Sequence, residues 1–267
     1  MISTMKILIR GAGDLATGIG WRLKRAGYSV WMTDLSVPTA VRRTVSFSRA
    51  IYEKEARVEG LWGQRSDSLE EGRKIEALGR IPVFVDPEAN IRKEWEPDVL
   101  IDAIIAKKNL GTSLGDAPLV IGVGPGFSAG TDCHRVIETK RGHYLGKVIE
   151  EGSAIPNTGV PGNIGGYTVE RIIRSTGDGI FIPLAAIGDF VKKGQVVARV
   201  GEKNIEALIP GSVRGLLQTG VPVTAGMKAG DIDARCEKDH CFTISDKARA
   251  IGGGALEAVC GWEHGIR

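Results

Sequence analysis

The sequence predicts an α/β protein in which a mostly parallel sheet comes first and a smaller β domain and a C-terminal helix follow. Three observations lead to this fold class. Short apolar runs alternate with helical patterns in the first half of the chain, short strand patterns repeat at a fixed spacing in the second half, and a helical pattern ends the sequence. Strands that alternate with helices are typical of parallel sheets covered by helices.

The first part of this pattern is a strand, a glycine turn, a helix and a second strand between Lys6 and Asp34. Gly11 allows a tight turn, Gly13 lets the backbone approach a phosphate, and Asp34 is placed to accept hydrogen bonds from a ribose. Asp14 begins the helix, whose N terminus attracts phosphate through its N–H groups. The segment predicts a Rossmann-like domain that binds a dinucleotide-type cofactor through these residues. The alternative is a turn that only packs its helix, because fold alone does not establish function.

Composition excludes several classes of partner. The 267 residues carry a formal net charge of +3, and the basic residues are spread along the chain, so we expect no nucleic-acid partner. No apolar run is long enough to span a membrane, the N-terminal MISTMK lacks the features of a signal peptide, and the four cysteines form no disulfide-like framework. We therefore expect a cytoplasmic protein with no membrane partner, and we expect a homo-oligomer.

Two arginines follow the strand that ends at Asp34. Arg42 and Arg43 can together hold the phosphate of a ribose, and the alternative is a solvated basic turn. Further along the chain, Ser68 and Glu71 have the spacing of a capping box and predict the start of a helix.

Two further apolar strands each end in an acid, Asp86 or Asp102. Ligands of open α/β sheets gather beyond the carboxyl ends of the strands, so we expect these acids to face the same crevice as Gly11. The segment after Asp102 carries Lys107 and Asn109, which are donors for an anionic substrate or cofactor. The alternative for Lys107 is an ordinary surface turn.

A loop rich in glycine and proline follows the next apolar strand. Gly124 and Gly126 shape this loop, and functional residues concentrate in loops that a rigid strand holds. His143 lies in a polar turn farther along and is a candidate anion contact. Cys133 and His134 suggest a thiolate–imidazole pair, but neighbouring residues of a strand point to opposite faces, which argues against it.

A linker rich in Gly, Pro, Ser and Asn ends near residue 166 and predicts domains of 1–166, 167–235 and 236–267. The second domain contains an internal repeat with a period of 32 residues. The matching positions are Gly179, Gly188, Val191, Gly194 and Val200 in the first copy and Gly211, Gly220, Val223, Gly226 and Ile232 in the second. Two such units bury their apolar faces against each other, which predicts a small β-sandwich with pseudo-twofold symmetry.

The C-terminal segment contains one candidate metal cluster and one helix. Cys236, His240 and Cys241 are close in sequence, but their spacing and the lack of a second pair favour an ordinary loop, so we predict no metal site. Ser245 caps a helix in which residues 252–254 are all glycine. Glycines are costly inside a helix, so another backbone or a phosphate should approach them closely, and we expect this helix to pack back on the first domain.

The second domain resembles the biotinyl/lipoyl-like barrel-sandwich hybrid. The segments GDFVKKGQVVARV and IPGSVRGLLQTGVPVTAG look like the two halves of that architecture. Its carrier domains present a lysine in a hairpin of the Glu-Ala-Met-Lys-Met type, whereas this sequence has GEKNIEAL, with Lys203, at that place. We therefore expect no covalent biotin or lipoyl group and a domain that binds or docks.

Over nearly its whole length the chain resembles the YqeB-type family, whose members are accessory proteins of selenium-dependent molybdenum hydroxylases. The resemblance is carried by IRGAGDLATGIGWRL, AVRRTVSFSRAIYEKEA, IDAIIAKKN, GVGPGFSAGTDCHRVIETKRGHYLGKVI, NTGVPGNIGGY and ISDKARAIGGGALEAV. The Rossmann-like part alone is also similar to the XdhC-type accessory proteins. The resemblance implies a role in maturing a client molybdenum hydroxylase, through the molybdenum cofactor or its selenium ligand. It implies no established reaction.

Three functions agree with these observations, and whether the protein is an enzyme stays open. In the first, a maturation factor holds a nucleotide or the phosphate-bearing molybdenum cofactor, and Lys107, Asn109 and the loop at Gly124 frame the reacting end. In the second, an NAD(P)-dependent oxidoreductase acts on a small anion, with Asp102, Lys107 and His143 as acid–base candidates. In the third, the chain is a non-catalytic docking scaffold.

Overall fold

The computed structural model describes residues 4–265, which divide into two compact units. The first unit contains the chain up to Pro38, residues 46–158 and the chain from Ile244 onward, and the second contains residues 39–45 and 159–243. The division near residue 158 falls inside the predicted linker, and the last helix belongs to the first unit. Within the described residues, no helix is both long and apolar enough to cross a membrane.

The first unit is a mixed α/β structure. Its strands and helices are β1 (Lys6–Arg10), α1 (Asp14–Arg25), β2 (Ser29–Asp34), α2 (Arg49–Glu53), β3 (Glu55–Val58), β4 (Leu61–Ser66), α3 (Leu69–Ala77), β5 (Ile81–Val85), α4 (Arg92–Trp95), β6 (Val99–Asp102), β7 (Leu119–Val123), β8 (Ser128–Ala129), β9 (Arg135–Ile137), β10 (Val148–Ile149), β11 (Gly152–Ser153) and α5 (Asp246–Glu263).

Nine of these strands form one sheet in the order β10-β9-β7-β6-β1-β2-β5-β4-β3. The seven inner strands are parallel, and the edge strands β3 and β10 are antiparallel to their neighbours. Strand β1 lies between β2 and β6, so the chain builds the sheet outward on both sides of it. In open α/β sheets such a point opens a crevice at the carboxyl ends of the strands.

The core of this sheet is apolar on both faces, as expected for inner parallel strands. Ile7, Leu8 and Ile9 of β1 are all fully buried. Beside Leu8, Trp31 stacks on Trp95 with ring centroids 4.3 Å apart and on Phe84 with centroids 5.1 Å apart. Stacked rings of this kind stabilise the core beyond the burial of their area.

Helices α1 and α5 touch through their backbones. A Cβ added at Gly18 would lie 2.7 Å from the Cβ of Ala248, and one added at Gly252 would lie 2.8 Å from the carbonyl oxygen of Gly18. Further along, the Tyr28 hydroxyl donates to the Glu263 carboxylate at 2.7 Å. Contacts nearer the C terminus of α1 also lie nearer the C terminus of α5. The two helices therefore run parallel, and their N termini lie at the same end.

The second unit is made of antiparallel strands: β12 (Ile172–Arg174), β13 (Gly179–Pro183), β14 (Phe190–Val191), β15 (Val196–Val200), β16 (Lys203–Glu206), β17 (Gly211–Leu216), β18 (Pro222–Val223) and β19 (Lys228–Asp233). They form two four-stranded sheets, β12-β19-β17-β14 and β16-β15-β13-β18. Strands β17, β18 and β19 begin 32 residues after β13, β14 and β15, respectively. Each sheet also takes its short edge strand from the other repeat, since β14 pairs with β17 and β18 pairs with β13. The predicted repeat is therefore a real structural repeat.

The structure confirms the fold class as a mixed α/β protein with a large, mostly parallel sheet and additional antiparallel sheets. Helix α3 begins where the capping pattern predicts, because the Ser68 hydroxyl accepts from the Glu71 N–H at 3.2 Å. The second hydrogen bond of the capping box differs from the expected one, because the Glu71 carboxylate accepts from the N–H of Asp67 instead of the N–H of Ser68. Two backbone segments approach the glycines of α5. The carbonyl of Gly18 in α1 lies against Gly252, and the carbonyl of Gly146 lies against Gly254.

Alanine substitutions in α5 should separate helix propensity from helix packing. Gly252→Ala is expected to lower the free energy of unfolding by about 1–3 kcal/mol, because the new methyl group must displace the carbonyl of Gly18. Gly253→Ala should raise it by about 0.5–1 kcal/mol, since a Cβ there meets nothing within 4 Å and alanine favours the helix. Urea unfolding of the two variants measures both changes. Equal changes would contradict the packing described for α1 and α5.

Candidate functional site

The glycine turn after β1 has a left-handed residue packed against the protein at Gly11 and space at Gly13. Gly11 has a φ of +104°, its N–H donates to the Thr33 carbonyl at 2.8 Å, and a Cβ there would lie 3.0 Å from the Ala103 carbonyl oxygen. Gly13 is the N-cap of α1 and has an extended conformation, and a Cβ there would meet nothing within 4 Å. The N-cap residue Gly13 contributes no side-chain hydrogen bond to the first turn of α1.

Asp34 holds this turn from the end of β2. Its carboxylate accepts from the N–H of Ala12 at 3.2 Å and from the N–H of Leu35 at 2.8 Å. Burial raises the pKa of Asp34 to about 6, although the two backbone hydrogen bonds oppose that rise. The pKa of Tyr52 rises to about 12, chiefly through burial and also through the charge of Asp34. Asp34 thus lies beside the turn, two backbone groups bind its carboxylate, and its contact with a ribose stays a prediction.

The parallel packing of α5 brings a lysine to the N terminus of α1. Lys247 lies in the first turn of α5, close enough to Asp14 and Glu138 for their charges to raise its pKa. Burial and the charge of Arg141 act in the opposite direction, and burial is the largest effect, so the pKa of Lys247 is lowered. The sequence patterns did not identify Lys247. The signal was the predicted packing of the last helix, which places its first turn near the crevice.

The loop after β6 packs between two glycine turns at the same edge of the sheet. The backbone of Ala103 contacts Gly11, and a Cβ added at Gly126 would lie 2.5 Å from the N and Cα atoms of Lys108. Lys107 itself is exposed and has a φ of +63°. The structure therefore brings together the predicted Lys107 segment, the Gly124–Gly130 loop and the first glycine turn.

Asp102 is fully buried at the base of this loop. Its carboxylate accepts from the Thr112 hydroxyl at 2.6 Å, from the Arg10 guanidinium at 3.2 Å and from the N–H of Ile104 at 3.2 Å. Asn109 closes the loop, since its side chain donates to the Thr112 carbonyl at 2.7 Å and accepts from the Thr112 N–H at 2.8 Å. Both predicted residues bind protein groups here, and their roles toward a ligand stay predictions.

The remaining predicted residues have the following surroundings. His143 is exposed, and its ring meets Tyr144 edge-on with centroids 5.0 Å apart. Burial raises the pKa of the Cys133 thiol to about 11, which disfavours a thiolate. Asp86 accepts from the N–H of Ile91 at 2.8 Å. Gly124 has a φ of +86°, and a Cβ there would lie 2.8 Å from the hydroxyl of a threonine that follows β9.

Arg42 and Arg43 belong to the second unit. The Arg42 guanidinium donates to the carbonyls of His240 at 2.9 Å and Thr243 at 3.0 Å. Arg43 donates to the Leu216 carbonyl at 2.9 Å and to a neighbouring glutamine side chain at 2.9 Å. These contacts use donors of both arginines inside the second unit, and the predicted phosphate contact stays untested.

The cysteine side chains of the second unit do not lie together. Cys241 is buried with its thiol toward the Val213 carbonyl, whereas Cys236 is exposed. Among residues 4–265 there is no group of three or more His, Cys, Asp or Glu side chains that could hold a metal ion. Lys203 begins β16, directly after the turn from β15, and its side chain is exposed.

A cavity of ≈ 280 Å³ lies beside the end of β1, lined in part by Arg10, Arg92, Lys93 and Thr112. Its polar walls are largely paired with protein groups. Arg92 forms an ion pair with Asp116 at 3.0 Å, and Arg10 binds the Asp102 carboxylate described above. The open glycine turn is therefore the better candidate site.

The chain is 50% identical over 253 residues to a protein of Escherichia coli (strain K12) named "Uncharacterized protein YqeB". The matched region is 95% of this chain and 47% of that protein, so the chain spans about half the length of this relative. The chain is therefore similar to YqeB over this region, and the name of that protein states no activity. No protein-family model matches the chain.

Three solved structures show a distant likeness, and each match covers 86% of this chain and 85% of the other. They are an aspartoacylase family protein from Mesorhizobium loti (12% identity, TM-score 0.26), a succinylglutamate desuccinylase from a Silicibacter species (14% identity, TM-score 0.26) and the ectoine utilization protein EutE (DoeB) from Ruegeria pomeroyi (12% identity, TM-score 0.27). Likeness at this TM-score supports no conclusion about fold details or function.

Asp34 should leave a signature in the pH dependence of stability. Its pKa is about 6 in the folded protein and ordinarily near 3.8, so between these values the folded state keeps a proton that the unfolded state has released. The wild type should therefore lose stability relative to Asp34→Asn as the pH rises through about 6. We expect a change of about 1–3 kcal/mol in the difference between their free energies of unfolding. Urea unfolding across this pH range measures it, and a constant difference would show that Asp34 titrates normally.

Proposed function

We propose that the first unit binds a phosphate-bearing ligand, of nucleotide or molybdenum-cofactor type, at the turn between β1 and α1. The observation that carries this proposal is the space at Gly13, the N-cap of α1, where a Cβ would meet nothing within 4 Å. The N–H groups at the start of a helix bind phosphate oxygens well. A side chain at this position would occupy the space that a phosphate needs.

Lys247 supports the same site from the neighbouring helix. A lysine in the first turn of a helix is opposed by the helix dipole, and the partial burial of Lys247 disfavours its charge further. Such a position costs stability in the empty protein. It becomes favourable when a phosphate at the N termini of α1 and α5 supplies the opposite charge.

In this proposal the first unit is a Rossmann-like domain and the second a module related to the barrel-sandwich hybrid. The central position of β1 between β2 and β6 supports the former. The exchange of β14 and β18 between the two repeats supports the latter. The second unit would dock a client protein without carrying a covalent biotin or lipoyl group on Lys203.

The wider role that we propose is maturation of selenium-dependent molybdenum hydroxylases. The resemblance of the motifs to the YqeB-type family supports it, and the site described above fits a phosphate on the molybdenum cofactor as cargo. The N–H groups after Gly13 and the Lys247 ammonium would hold that phosphate. Whether the chain also catalyses a reaction on the cargo is left open by this proposal.

Gly13→Val should remove binding without unfolding the protein. The valine side chain would fill the space above the N terminus of α1, while the extended backbone at Gly13 tolerates a branched residue. Calorimetric titration with NAD, NADP, CTP and molybdopterin-type ligands should show a loss of affinity of about tenfold or more for the ligand that the wild type binds. Gly115→Val is the matched control, because a Cβ at Gly115 also meets nothing within 4 Å.

Two results would count against parts of this proposal. If the wild type binds none of these ligands, the phosphate site is wrong. If a client hydroxylase produced with the wild type and with Gly13→Val has the same molybdenum and selenium content, the maturation role through this site is wrong. NAD(P) binding with a substrate-dependent change in absorbance would instead favour an oxidoreductase.

Lys247→Met should weaken ligand binding without loss of stability. The substitution removes a positive charge near the phosphate and keeps an unbranched apolar chain of similar length. We expect affinity to fall by about tenfold at low salt and less at high salt. The melting temperature should be unchanged or slightly higher, because the helix dipole opposes a cation at this position. Lys203→Met is the control, because it removes the same charge from the second unit. Ligand affinity should be unchanged in this variant. Equal losses of affinity in the two variants would mean that only the net charge matters.

A further inference from the structure

The cavity beside the end of β1 lies on the face of the sheet that is turned away from α1. Ile9 of β1 lies against α1, because a Cβ added at Gly20 would be 3.4 Å from the Ile9 side chain. Successive residues of a strand point to opposite faces, so Leu8 and Arg10 face the other side of the sheet. Leu8 packs there in the core that contains Trp31, and Arg10 lines the cavity. The cavity is therefore separate from the space at the N terminus of α1.

Hydrogen bonds and an ion pair hold the walls of this cavity in place. The Arg10 guanidinium donates to the Pro87 carbonyl at 2.8 Å and to the Thr112 hydroxyl at 3.0 Å. Arg92 forms an ion pair with Asp116 and also donates to two backbone carbonyls of the preceding turn, both at 2.9 Å. These contacts join the segments around the cavity to one another, so its shape does not depend on a ligand. Small-molecule sites are usually formed in advance in this way.

The size and lining of the cavity suit a small, polar ligand. Its volume of ≈ 280 Å³ lies just below the range of about 300–1,000 Å³ that is usual for ligand pockets. Leu100 and Leu110 are the apolar side chains among the residues that line it, and most of the other lining residues are charged or polar. A small metabolite therefore fits this cavity better than a nucleotide does.

Four of the lining residues have polar groups that remain for a ligand. Nη2 of Arg10 makes one hydrogen bond, to the Leu110 carbonyl at 3.2 Å, which leaves its second N–H. Within residues 4–265, the Lys93 ammonium and the Glu88 carboxylate form no ion pair, and the Asn90 amide forms no hydrogen bond. Arg10 is buried and the other three residues are exposed, so the guanidinium lies at the closed end of the cavity.

We propose that this cavity binds a small α-amino acid in its zwitterionic form. The carboxylate of the ligand accepts from the second Nη2 N–H of Arg10, with the Lys93 ammonium nearby, and the ammonium of the ligand donates to the Glu88 carboxylate. A guanidinium binds a carboxylate strongly, and more so where water is excluded. A ligand with two negative charges fits less well, because the carboxylates of Glu88 and Asp116 both line the cavity and repel the second charge.

This site goes beyond the proposed function and is independent of it. None of the residues that line the cavity belongs to the proposed phosphate site at Gly13 and Lys247. Gly13→Val should therefore leave amino-acid binding unchanged. The amino-acid site and the phosphate site are tested with different ligands, so each can fail while the other stands.

Amide NMR of the full chain tests the site with the standard L-amino acids as probes. At least one of them should shift the N–H signals of residues 88–93 and 110–112 and leave those of residues 14–16 in place. The N-acetyl form of that amino acid lacks the ammonium, and its carboxamide form lacks the carboxylate. Both should bind about tenfold more weakly or less. If no amino acid shifts the signals around the cavity, or if either modified form binds as tightly as the amino acid, the proposal is overturned.

Glu88→Gln tests the contact with the ammonium of the ligand. The substitution removes the negative charge, keeps the shape of the side chain and should not affect folding, because Glu88 is exposed. We expect the affinity for the amino acid identified by NMR to fall by about fivefold or more. Glu94→Gln is the matched control, since Glu94 is an exposed residue of α4 that does not line the cavity. Calorimetric titration measures both affinities. An affinity in Glu88→Gln equal to that of the control would contradict the proposed contact.

Discussion

The close approach of α1 and α5 is the constraint on which the candidate site depends. Gly18 and Gly252 let the two backbones touch, and on its other side α5 receives the turn at Gly146. Any larger residue at these positions would push the helices apart. Because the helices run parallel, their N termini lie at one end, and Lys247 lies near Asp14 at the N terminus of α1. The last helix of the first unit thus brings a lysine close to the first glycine turn.

The acids at the strand ends serve the loops that follow them. Asp34 accepts from Ala12 and Leu35, Asp86 from Ile91, and Asp102 from Ile104. Each loop leaves a strand and must satisfy backbone N–H groups that no ladder now pairs. A carboxylate at the end of the strand is a strong acceptor for these groups. Position at the crevice is therefore compatible with a structural role, and it does not by itself identify an acid as catalytic.

Local signals in the sequence predicted the local structure well. The start of α3 at Ser68, the repeat in the second unit and the glycine turn after β1 all depend on residues close in sequence. Contacts between distant segments were less predictable. Nothing near Arg42 in sequence shows that its guanidinium binds carbonyls at residues 240 and 243, and nothing near Ile105 shows its left-handed backbone. Strand β4 was missed because its sequence, LWGQRS, has little apolar alternation.

The groups beside the glycine turn are better suited to holding an anion than to acid–base chemistry. The carboxylates of Asp34 and Asp102 are occupied by backbone and side-chain donors, and Asp102 is fully buried. The other groups beside the glycine turn are the backbone N–H groups of the first turn of α1 and the Lys247 ammonium group. These groups donate hydrogen bonds or carry positive charge, and they attract phosphate without a general base. A protein that binds a phosphorylated cargo and passes it on needs such a site, whereas a hydride-transferring enzyme also needs a positioned acid or base. We therefore propose the maturation factor first and keep the oxidoreductase as its alternative.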